Sequence, residues 1–259
     1  MSKQIIHINS VEDERILHYL SMRDNILDTS GNRLFVAEGE KVVVKLLKSK
    51  LHIHSILAKN TFYEKYNGLI ENCEHVKLMT ADIEILKLII GFRMHTGVMA
   101  VAQKPENIVI DDLSDRIVCL NGIIDSENVG SIIRNSTAFG IDSIIFDKST
   151  SSPYLRRAVR VSMGTVFNSK VYNSEILLRD LLILKEKGYK IISAEITGGS
   201  ISVNDFIFPE KFVLIFGNES KGIRNEIIDC SDDIIHIPIG SAVESLNVAS
   251  SSAVILSRI

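Results

Sequence analysis

The sequence predicts an α/β protein in which a parallel sheet covered by helices follows a smaller α/β domain. Isoleucine, leucine and valine dominate the apolar residues of the 259-residue chain, while Trp is absent and aromatic residues make up 6%. This composition favours cores of sheet and helix over an aromatic-lined β-sandwich. From residue 117 onwards strand-like and helix-like segments alternate, which is the pattern of βα units. The stretch from Lys104 to Arg116 contains a Pro and several acidic residues, and we expect a linker at 106–116.

Residues 1–105 are predicted to form the smaller domain. One expected helix is 38–50, where four apolar residues fall on one face at helical spacing: Val42, Val43, Leu46 and Leu47. The expected helices are 12–21, 38–50 and 81–90, and the expected strands are 53–58 and 97–102.

Residues 117–259 are predicted to form the second domain. Its first strand, 117–124, is a nearly continuous apolar run, as expected of a strand buried on both faces. The elements expected after it are helix 128–139, strand 143–146, helix 153–163, strand 170–172, helix 174–187, strands 190–194 and 212–216, helix 223–229, strand 234–238 and a final helix from about 246. Ligands of such sheets bind at the carboxyl ends of the strands. We therefore expect a site in the loops after Ile124, Phe216 and Ile239.

Several common sites lack their signatures. No G-x-G-x-x-G follows a strand, and neither a G-x-S-x-G elbow nor a metal-spaced His and Cys cluster is present. Gly217 and Gly222 are spaced as in a phosphate loop, but Ile223 and Arg224 stand where that loop requires Lys and Ser or Thr. The three cysteines are far apart, which argues against a zinc site and a disulfide framework. No metal is expected.

Net charge and hydropathy exclude two further classes. The formal net charge of −3 argues against a strongly basic nucleic-acid binder, although a local basic face stays compatible with it. The sequence contains no apolar run of membrane-spanning length and no apolar region of the signal-peptide kind near its first residue. We expect a cytoplasmic protein with reduced cysteines.

Each of the three strand ends carries polar residues. In the segment 125–140, DSENVGSIIRNSTAFG, Asn128 lies near a helix start and Arg134 follows six residues later; capping and a surface arginine explain this segment equally well. In the segment 214–227, LIFGNESKGIRNEI, a tight Gly-Asn turn explains the backbone but not the placement of Glu219 and Lys221. In the segment 236–256, Ser245 stands where it could cap the final helix.

Taken together, and in this order, the three segments resemble the SpoU (TrmH-type) family of RNA ribose 2′-O-methyltransferases over residues 117–259. The stretch RRAVRVSMGTVF, residues 156–167, adds a fourth family-like motif. Over 1–105 the resemblance is weaker, although RLFVAEGEKVVVKLL and GFRMHTGVMAVAQ look like the RNA-binding substrate domain that precedes many members. The resemblance implies a SPOUT-class fold with a C-terminal trefoil knot, a homodimer formed through the methyltransferase domain, and S-adenosylmethionine as cofactor.

The resemblance also implies the roles of particular residues. The catalytic set carried over by position is Arg134, Asn128, Glu219, Ser245 and Asn247. The cofactor contacts carried over are Gly217, Ile237 and Leu246, with Asn218, Ala194, Ile239 and Val248 as neighbouring candidates.

Contacts with RNA are expected from local clusters of cations. Residues 148–160 contain Lys148, Arg156 and Arg157 and no acidic residue, while Arg160 lies in the family-like motif and is also explained by a structural role. In the first domain the candidates are Arg33, Arg93 and Lys41, which shares a helix face with Lys45 and Lys48. Ordinary solvated cations are the alternative interpretation of all these residues.

Three functional hypotheses remain open from the sequence. The first is methylation of a ribose 2′-hydroxyl in ribosomal RNA, with tRNA as the alternative target, since rRNA-directed members carry a similar N-terminal domain. The second is a catalytically silent RNA-binding protein of the same fold. The third, a nucleotide-dependent α/β enzyme, is weakened by the failed match to a phosphate loop.

Overall fold

The computed structural model describes residues 3–20, 33–90 and 97–259. The chain forms two compact units, Met1–Pro105 with Tyr154–Phe167, and Glu106–Pro153 with Asn168–Ile259. The segment Tyr154–Phe167, which the sequence assigns to the second domain, thus packs with the first unit. There the rings of Tyr154 and Phe167 lie 5.4 and 5.6 Å from the ring of Phe35.

The first unit contains a mixed five-stranded sheet among its described residues, in the order β1-β4-β3-β5-β2. β5 pairs antiparallel with β2 and β3, and the other pairings are parallel. The elements are β1 (Ile5–Ile8), α1 (Leu17–Leu20), β2 (Leu34–Glu38), α2 (Glu40–Leu47), β3 (Ile53–Ala58), α3 (Asn60–Glu71), β4 (Lys77–Ala81), α4 (Ile83–Ile90) and β5 (Val98–Gln103).

The first unit differs from expectation mainly by added elements. The predicted helix 38–50 begins two residues late, because Glu38 ends β2 and Gly39 turns the chain with a φ of 95°. The predicted helix 12–21 is a 3₁₀ turn, Glu14–Ile16, followed by the short α1. β1, β2, β4 and α3 have no counterpart in the prediction.

The second unit is a parallel sheet covered by helices, which confirms the predicted α/β class. Its seven described strands have the order β10-β12-β9-β11-β6-β7-β8, and every pairing among them is parallel. The strands are β6 (Arg116–Asn121), β7 (Ser143–Asp147), β8 (Lys170–Ser174), β9 (Lys190–Ala194), β10 (Ile201–Ser202), β11 (Phe212–Gly217) and β12 (Asp233–His236). The helices are α5 (Ser126–Ala138), α7 (Leu177–Glu186), α8 (Asn225–Cys230) and α9 (Val248–Leu256), while α6 (Arg156–Val161) belongs to the first unit.

The strand order places the three candidate loops at one edge of the sheet. β11 lies between β9 and β6, although β6 precedes β9 by some 70 residues in the chain. The loops after β6 and β11 are therefore neighbours, and the loop after β12, which pairs with β9, lies one strand further along the same edge. β6 ends at Asn121 rather than at 124, because Gly122 turns the chain with a φ of 76°.

Burial in the second unit follows the expected pattern. β6, β11 and β9 are buried almost throughout, and on one side their apolar residues pack with α7 and α8 around Leu181 and Ile227. No helix within residues 3–20, 33–90 and 97–259 is long and apolar enough to cross a membrane.

Candidate active site

A cavity of about 510 Å³ opens at the carboxyl ends of β12, β9 and β11 and is closed on one side by α9. Its size falls within the range of small-molecule sites. All seven predicted cofactor contacts line it: Ala194, Gly217, Asn218, Ile237, Ile239, Leu246 and Val248. The structure thus brings together residues that lie up to 54 positions apart in the chain, and their part in binding stays a prediction.

Gly217 is required by a close approach of two backbone segments. A Cβ at this position would lie 2.5 Å from the backbone nitrogen of Ile223 and 2.6 Å from the carbonyl carbon of Gly222. Real Cβ atoms do not approach other atoms so closely, so a larger residue would displace the returning chain. The end of β11 and the segment 222–223 therefore form one thin wall of the cavity.

The loop 218–222, hereafter the glycine loop, is stabilised by Asn218. Backbone hydrogen bonds of 3.1 and 2.9 Å pair Asn218 with Gly222 in both directions. The side-chain oxygen of Asn218 accepts from the backbone nitrogens of Ser220 and Lys221 at 2.9 and 3.0 Å, and its Nδ2 donates to the carbonyl oxygen of Gly122 at 2.7 Å. The side chain thus joins the glycine loop to the turn after β6.

Glu195 supports the glycine loop from the other side. Its Oε2 accepts a hydrogen bond of 3.0 Å from the backbone nitrogen of Ile223. A Cβ on Gly222, whose φ is 67°, would lie 2.5 Å from this oxygen. Glu195 lines the cavity and was missed by the sequence analysis; its position directly after a buried parallel strand was the available signal.

Three of the five predicted catalytic residues are joined by hydrogen bonds beside the cavity, and a fourth, Ser245, lines it. Asn128 Nδ2 donates a short hydrogen bond to the carboxylate of Glu219, and Asn247 Nδ2 donates to Asn128 Oδ1 at 3.1 Å. Glu219 and Ser245 line the cavity themselves. Asn128, Glu219 and Asn247 therefore form a continuous hydrogen-bonded chain across α5, the glycine loop and the start of α9.

Local folding explains how α5 and α9 present these side chains. Asp125 caps α5 by accepting from the backbone nitrogen of Glu127 at 2.8 Å, and Asn247 caps α9 by accepting from Ala249 and Ser250. Asn135 Nδ2 then joins the two helices, donating to Ala249 O at 3.0 Å and Ser252 Oγ at 2.9 Å. Asn135 is a positioning residue that the sequence analysis missed.

Arg134 stands apart from the other four. It is exposed on α5, does not line the cavity, and forms no hydrogen bond or ion pair with any part of the chain that the structure describes. Six helical residues rotate a side chain by about 120° from its starting face, whereas seven return it, so Asn135 shares the face of Asn128 and Arg134 does not. Within one chain, Arg134 therefore does not contact the other four predicted catalytic residues.

A buried carboxylate, Asp147, organises the turn after β6. It accepts from Asn121 Nδ2 at 2.7 Å, from the backbone nitrogen of Gly122 at 3.1 Å and from Thr150 Oγ1 at 2.7 Å. Burial opposes its ionisation, but the hydrogen bonds from Thr150, Ser149 and Gly122 outweigh burial and hold the pKa of Asp147 below its usual value. The ionised side chain of Asp147 thus holds the turn at Gly122, whose carbonyl oxygen accepts the hydrogen bond from Asn218.

The predicted RNA contacts differ in their surroundings. Arg156 is largely buried and donates from Nε to Glu38 at 2.8 Å within the first unit. Lys148 is 80% exposed and lies 3.6 Å from the equally exposed Glu175. Arg157 and Lys41 are exposed, Arg33 donates to the carbonyl oxygen of Pro105, and Arg93 lies outside the described residues.

The described residues that line the cavity include no cysteine. The described ranges contain no group of three or more His, Cys, Asp or Glu side chains arranged to hold a metal ion. Burial raises the pKa of the Cys119 thiol well above its ordinary value, so this cysteine is a core residue and a poor nucleophile.

The family and the relatives that match this chain are all described as RNA methyltransferases. The sequence profile of the SpoU rRNA Methylase family matches residues 115–257. An uncharacterized tRNA/rRNA methyltransferase from Mycobacterium bovis is 27% identical over 94% of this chain and 85% of its own length. The 23S rRNA (guanosine-2'-O-)-methyltransferase RlmB from Neisseria meningitidis is 28% identical over 71% of this chain and 76% of its own length.

Two solved structures share the fold. An AdoMet-bound rRNA methyltransferase from Sinorhizobium meliloti superposes with a TM-score of 0.86 at 20% identity, covering 98% of this chain and 97% of the other. The SpoU methyltransferase AviRb from Streptomyces viridochromogenes, in complex with AdoMet, superposes with a TM-score of 0.80 at 19% identity, covering 95% and 96%.

Proposed function

Because the chain belongs to the SpoU rRNA methylase family and is an RNA methyltransferase, we propose that it methylates a ribose 2′-hydroxyl of ribosomal RNA with S-adenosylmethionine as methyl donor. The observation that carries this proposal is the hydrogen-bonded chain Glu219–Asn128–Asn247 beside a cavity of cofactor size. The ribosomal target is supported by the name of the RlmB relative.

The cavity suits the proposed donor. Ile237, Ile239, Leu246 and Val248 supply apolar walls for a flat aromatic base, and the thin wall at Gly217 leaves backbone groups close to the ligand. When bound, S-adenosylmethionine supplies a methyl group on a positively charged sulfur, which a ribose oxygen can attack. The residues that hold it are the seven predicted contacts.

Transfer to a hydroxyl requires alignment of the attacking oxygen and stabilisation of its developing negative charge. A guanidinium stays protonated in proteins, so Arg134 acts by holding the neighbouring RNA phosphate and stabilising the alkoxide, and the phosphate takes the proton. Asn128, Glu219, Ser245 and Asn247 order the glycine loop and the start of α9 around the methyl-accepting ribose.

Arg134 reaches the reaction in an assembly of two chains. Three large apolar side chains near α5 and α9 are exposed: Ile124 at 67%, Phe139 at 40% and Val254 at 36%. Their exposure supports the proposed homodimer, in which this surface is covered by a second copy. The trefoil knot implied by the family resemblance belongs to the same proposal.

The decisive experiment compares total RNA from cells with and without the gene by mapping 2′-O-methylated nucleotides. We expect one ribosomal RNA position to lose its methyl group and to regain it when purified protein and S-adenosylmethionine are added. If a tRNA position loses its methyl group instead, the substrate is tRNA and the proposal of a ribosomal RNA target is wrong. Absence of any lost position, together with absence of S-adenosylmethionine binding in calorimetry, would favour the silent RNA-binding hypothesis.

A further inference from the structure

The charged side chains that line the cavity are mostly negative. They are Glu195, Glu219 and Lys221, with His236 as a further titratable group among the described lining residues. Lys221 is exposed at the tip of the glycine loop. Neither carboxylate forms an ion pair with a Lys or Arg of the described chain. Carboxylates that line a cavity without a cationic partner favour a ligand that brings its own positive charge.

The two carboxylates have different surroundings. Glu219 is exposed at the mouth and accepts from Asn128, so it belongs to the catalytic set. Glu195 is half-buried and directly follows β9, where its backbone nitrogen donates to the carbonyl oxygen of Ile235 on β12 at 3.0 Å. The two carboxylates therefore belong to the same loop region of the cavity, Glu219 within the glycine loop and Glu195 through its contact with Ile223, and Glu195 is not one of the predicted catalytic residues.

Glu195 is also held in place. The backbone nitrogen of Ile223 donates to its Oε2 at 3.0 Å, and the absence of a side chain on Gly222 leaves room for this oxygen. Its Oε1 has a long 3.3 Å contact from the nitrogen of Ile196. One carboxylate oxygen is thus fixed by the loop, and the charge of the group stays in the cavity wall.

The proposed donor and its product differ in charge at one atom. S-adenosylmethionine carries a sulfonium cation, and S-adenosylhomocysteine has a neutral thioether at the same place. A carboxylate in a partly solvated wall attracts a cation a few ångströms away strongly enough to change affinity by roughly tenfold. A fixed negative charge in the wall can therefore give these two ligands different affinities, although their shapes are nearly the same.

We propose that Glu195 is a specificity-determining residue that makes the cavity bind the cationic donor in preference to its neutral product. The inference rests on the proposed function, because it takes the cavity to be the S-adenosylmethionine site. Its consequence is that transfer of the methyl group removes the charge that Glu195 attracts, so the spent cofactor dissociates more readily.

The test measures binding alone, by calorimetry of the full-length protein with S-adenosylmethionine, S-adenosylhomocysteine and sinefungin, a donor analogue with an amine in place of the sulfonium. Glu195→Gln keeps an oxygen that accepts from Ile223. We expect its preference for S-adenosylmethionine over S-adenosylhomocysteine to fall by roughly tenfold, with sinefungin weakened like the donor and S-adenosylhomocysteine changed by less than about twofold. Glu210→Gln, outside the cavity, is the matched control.

A second variant guards against misfolding of the first. Ile196→Lys places a cation beside Glu195 at a side chain that is 54% exposed, and it should lower the same preference. Equal weakening of all three ligands in Glu195→Gln, or an unchanged preference in Ile196→Lys, overturns the inference while leaving the proposed function intact. Failure of the wild-type protein to bind any of the three overturns the proposed function and the inference with it.

Discussion

Asn247 Nδ2 donates a 3.1 Å hydrogen bond to the side-chain oxygen of Asn128, joining the start of α9 to the first turn of α5 across 119 positions of sequence. The oxygen of the same Asn247 side chain caps α9. One amide therefore has two separable tasks, since its oxygen stabilises a helix and its nitrogen orients Asn128 towards Glu219.

Substitution of Asn247 should separate these tasks. Asn247→Asp retains the capping oxygen but cannot donate to Asn128, so we expect wild-type thermal stability with at least a tenfold loss of methylation rate. Asn247→Ala loses both tasks and should also lower the free energy of unfolding by about 1 kcal/mol. Thermal melts and single-turnover methylation assays measure the two effects. Full activity in Asn247→Asp would contradict the orienting role of the nitrogen.

Arg134 is expected to matter for the reaction and not for folding. Because its side chain is exposed and unpaired among the described residues, Arg134→Ala should change the free energy of unfolding by less than about 0.5 kcal/mol. Methylation should fall at least about a hundredfold with unchanged S-adenosylmethionine binding, because the charge-stabilising group is lost. Arg116→Ala, at the opposite end of β6, serves as the control, and wild-type turnover in Arg134→Ala would refute the assignment.

Gly217 should tolerate no side chain. Gly217→Ala places a Cβ 2.5 Å from the nitrogen of Ile223 and must displace the cavity wall, so we expect S-adenosylmethionine binding to be lost. The matched change Gly240→Ala meets no atom within 4 Å and should leave binding unaltered. Calorimetry of both proteins compares them directly, and equal affinities would show that the wall adjusts without cost.

Asp147 should contribute stability that depends on pH. Its folded-state pKa lies below the ordinary value, so its contribution is present above the unfolded pKa and is lost as the pH falls through the folded pKa. Asp147→Asn should therefore be less stable at neutral pH, by about 1–3 kcal/mol, and lose less further stability below about pH 4. Urea unfolding across pH 3–7 tests this, and parallel stability curves for the two proteins would exclude it.

The lysines of α2 should bind RNA by charge. Lys41, Lys45 and Lys48 are exposed and lie four and three residues apart, on one face of the helix and its C-cap, while the neighbouring Glu40 is paired with Lys65 at 2.7 Å. Replacing all three by Ala should weaken RNA binding at low salt and reduce the slope of log K against log salt by about 2–3. Filter binding at several salt concentrations measures the slope. Lys211→Ala is the control, and an unchanged slope would exclude this face.

The fold of the second unit was largely predictable, because its strands are long apolar runs between turn residues. β9 matches the expected 190–194, and β7 and β11 match within one residue at their ends. The first unit was harder. β1 is a short edge strand with one buried residue, and α3 contains Gly68 and a non-helical Tyr66, so neither shows a clear period.

The candidate site was predictable in its parts and not in its contacts. The rule that ligands bind at the carboxyl ends of strands, with the family resemblance, located the seven cavity residues. Asp147, Asn135 and Glu195 were missed because their importance comes from partners far away in sequence. Arg134 lies on the predicted helix but does not contact the residues that it was expected to join. The reason is that residues six positions apart lie on different faces of an α-helix, so Arg134 and Asn128 face different ways.

The membership of Tyr154–Phe167 in the first unit has a consequence for synthesis of the protein. Domains of a growing chain usually fold in order from the amino terminus. Here Phe35 cannot meet Tyr154 and Phe167 until the ribosome has already made β6, α5 and β7 of the second unit. The amino-terminal unit is therefore completed late, and its final packing waits on residues translated after the second unit has begun.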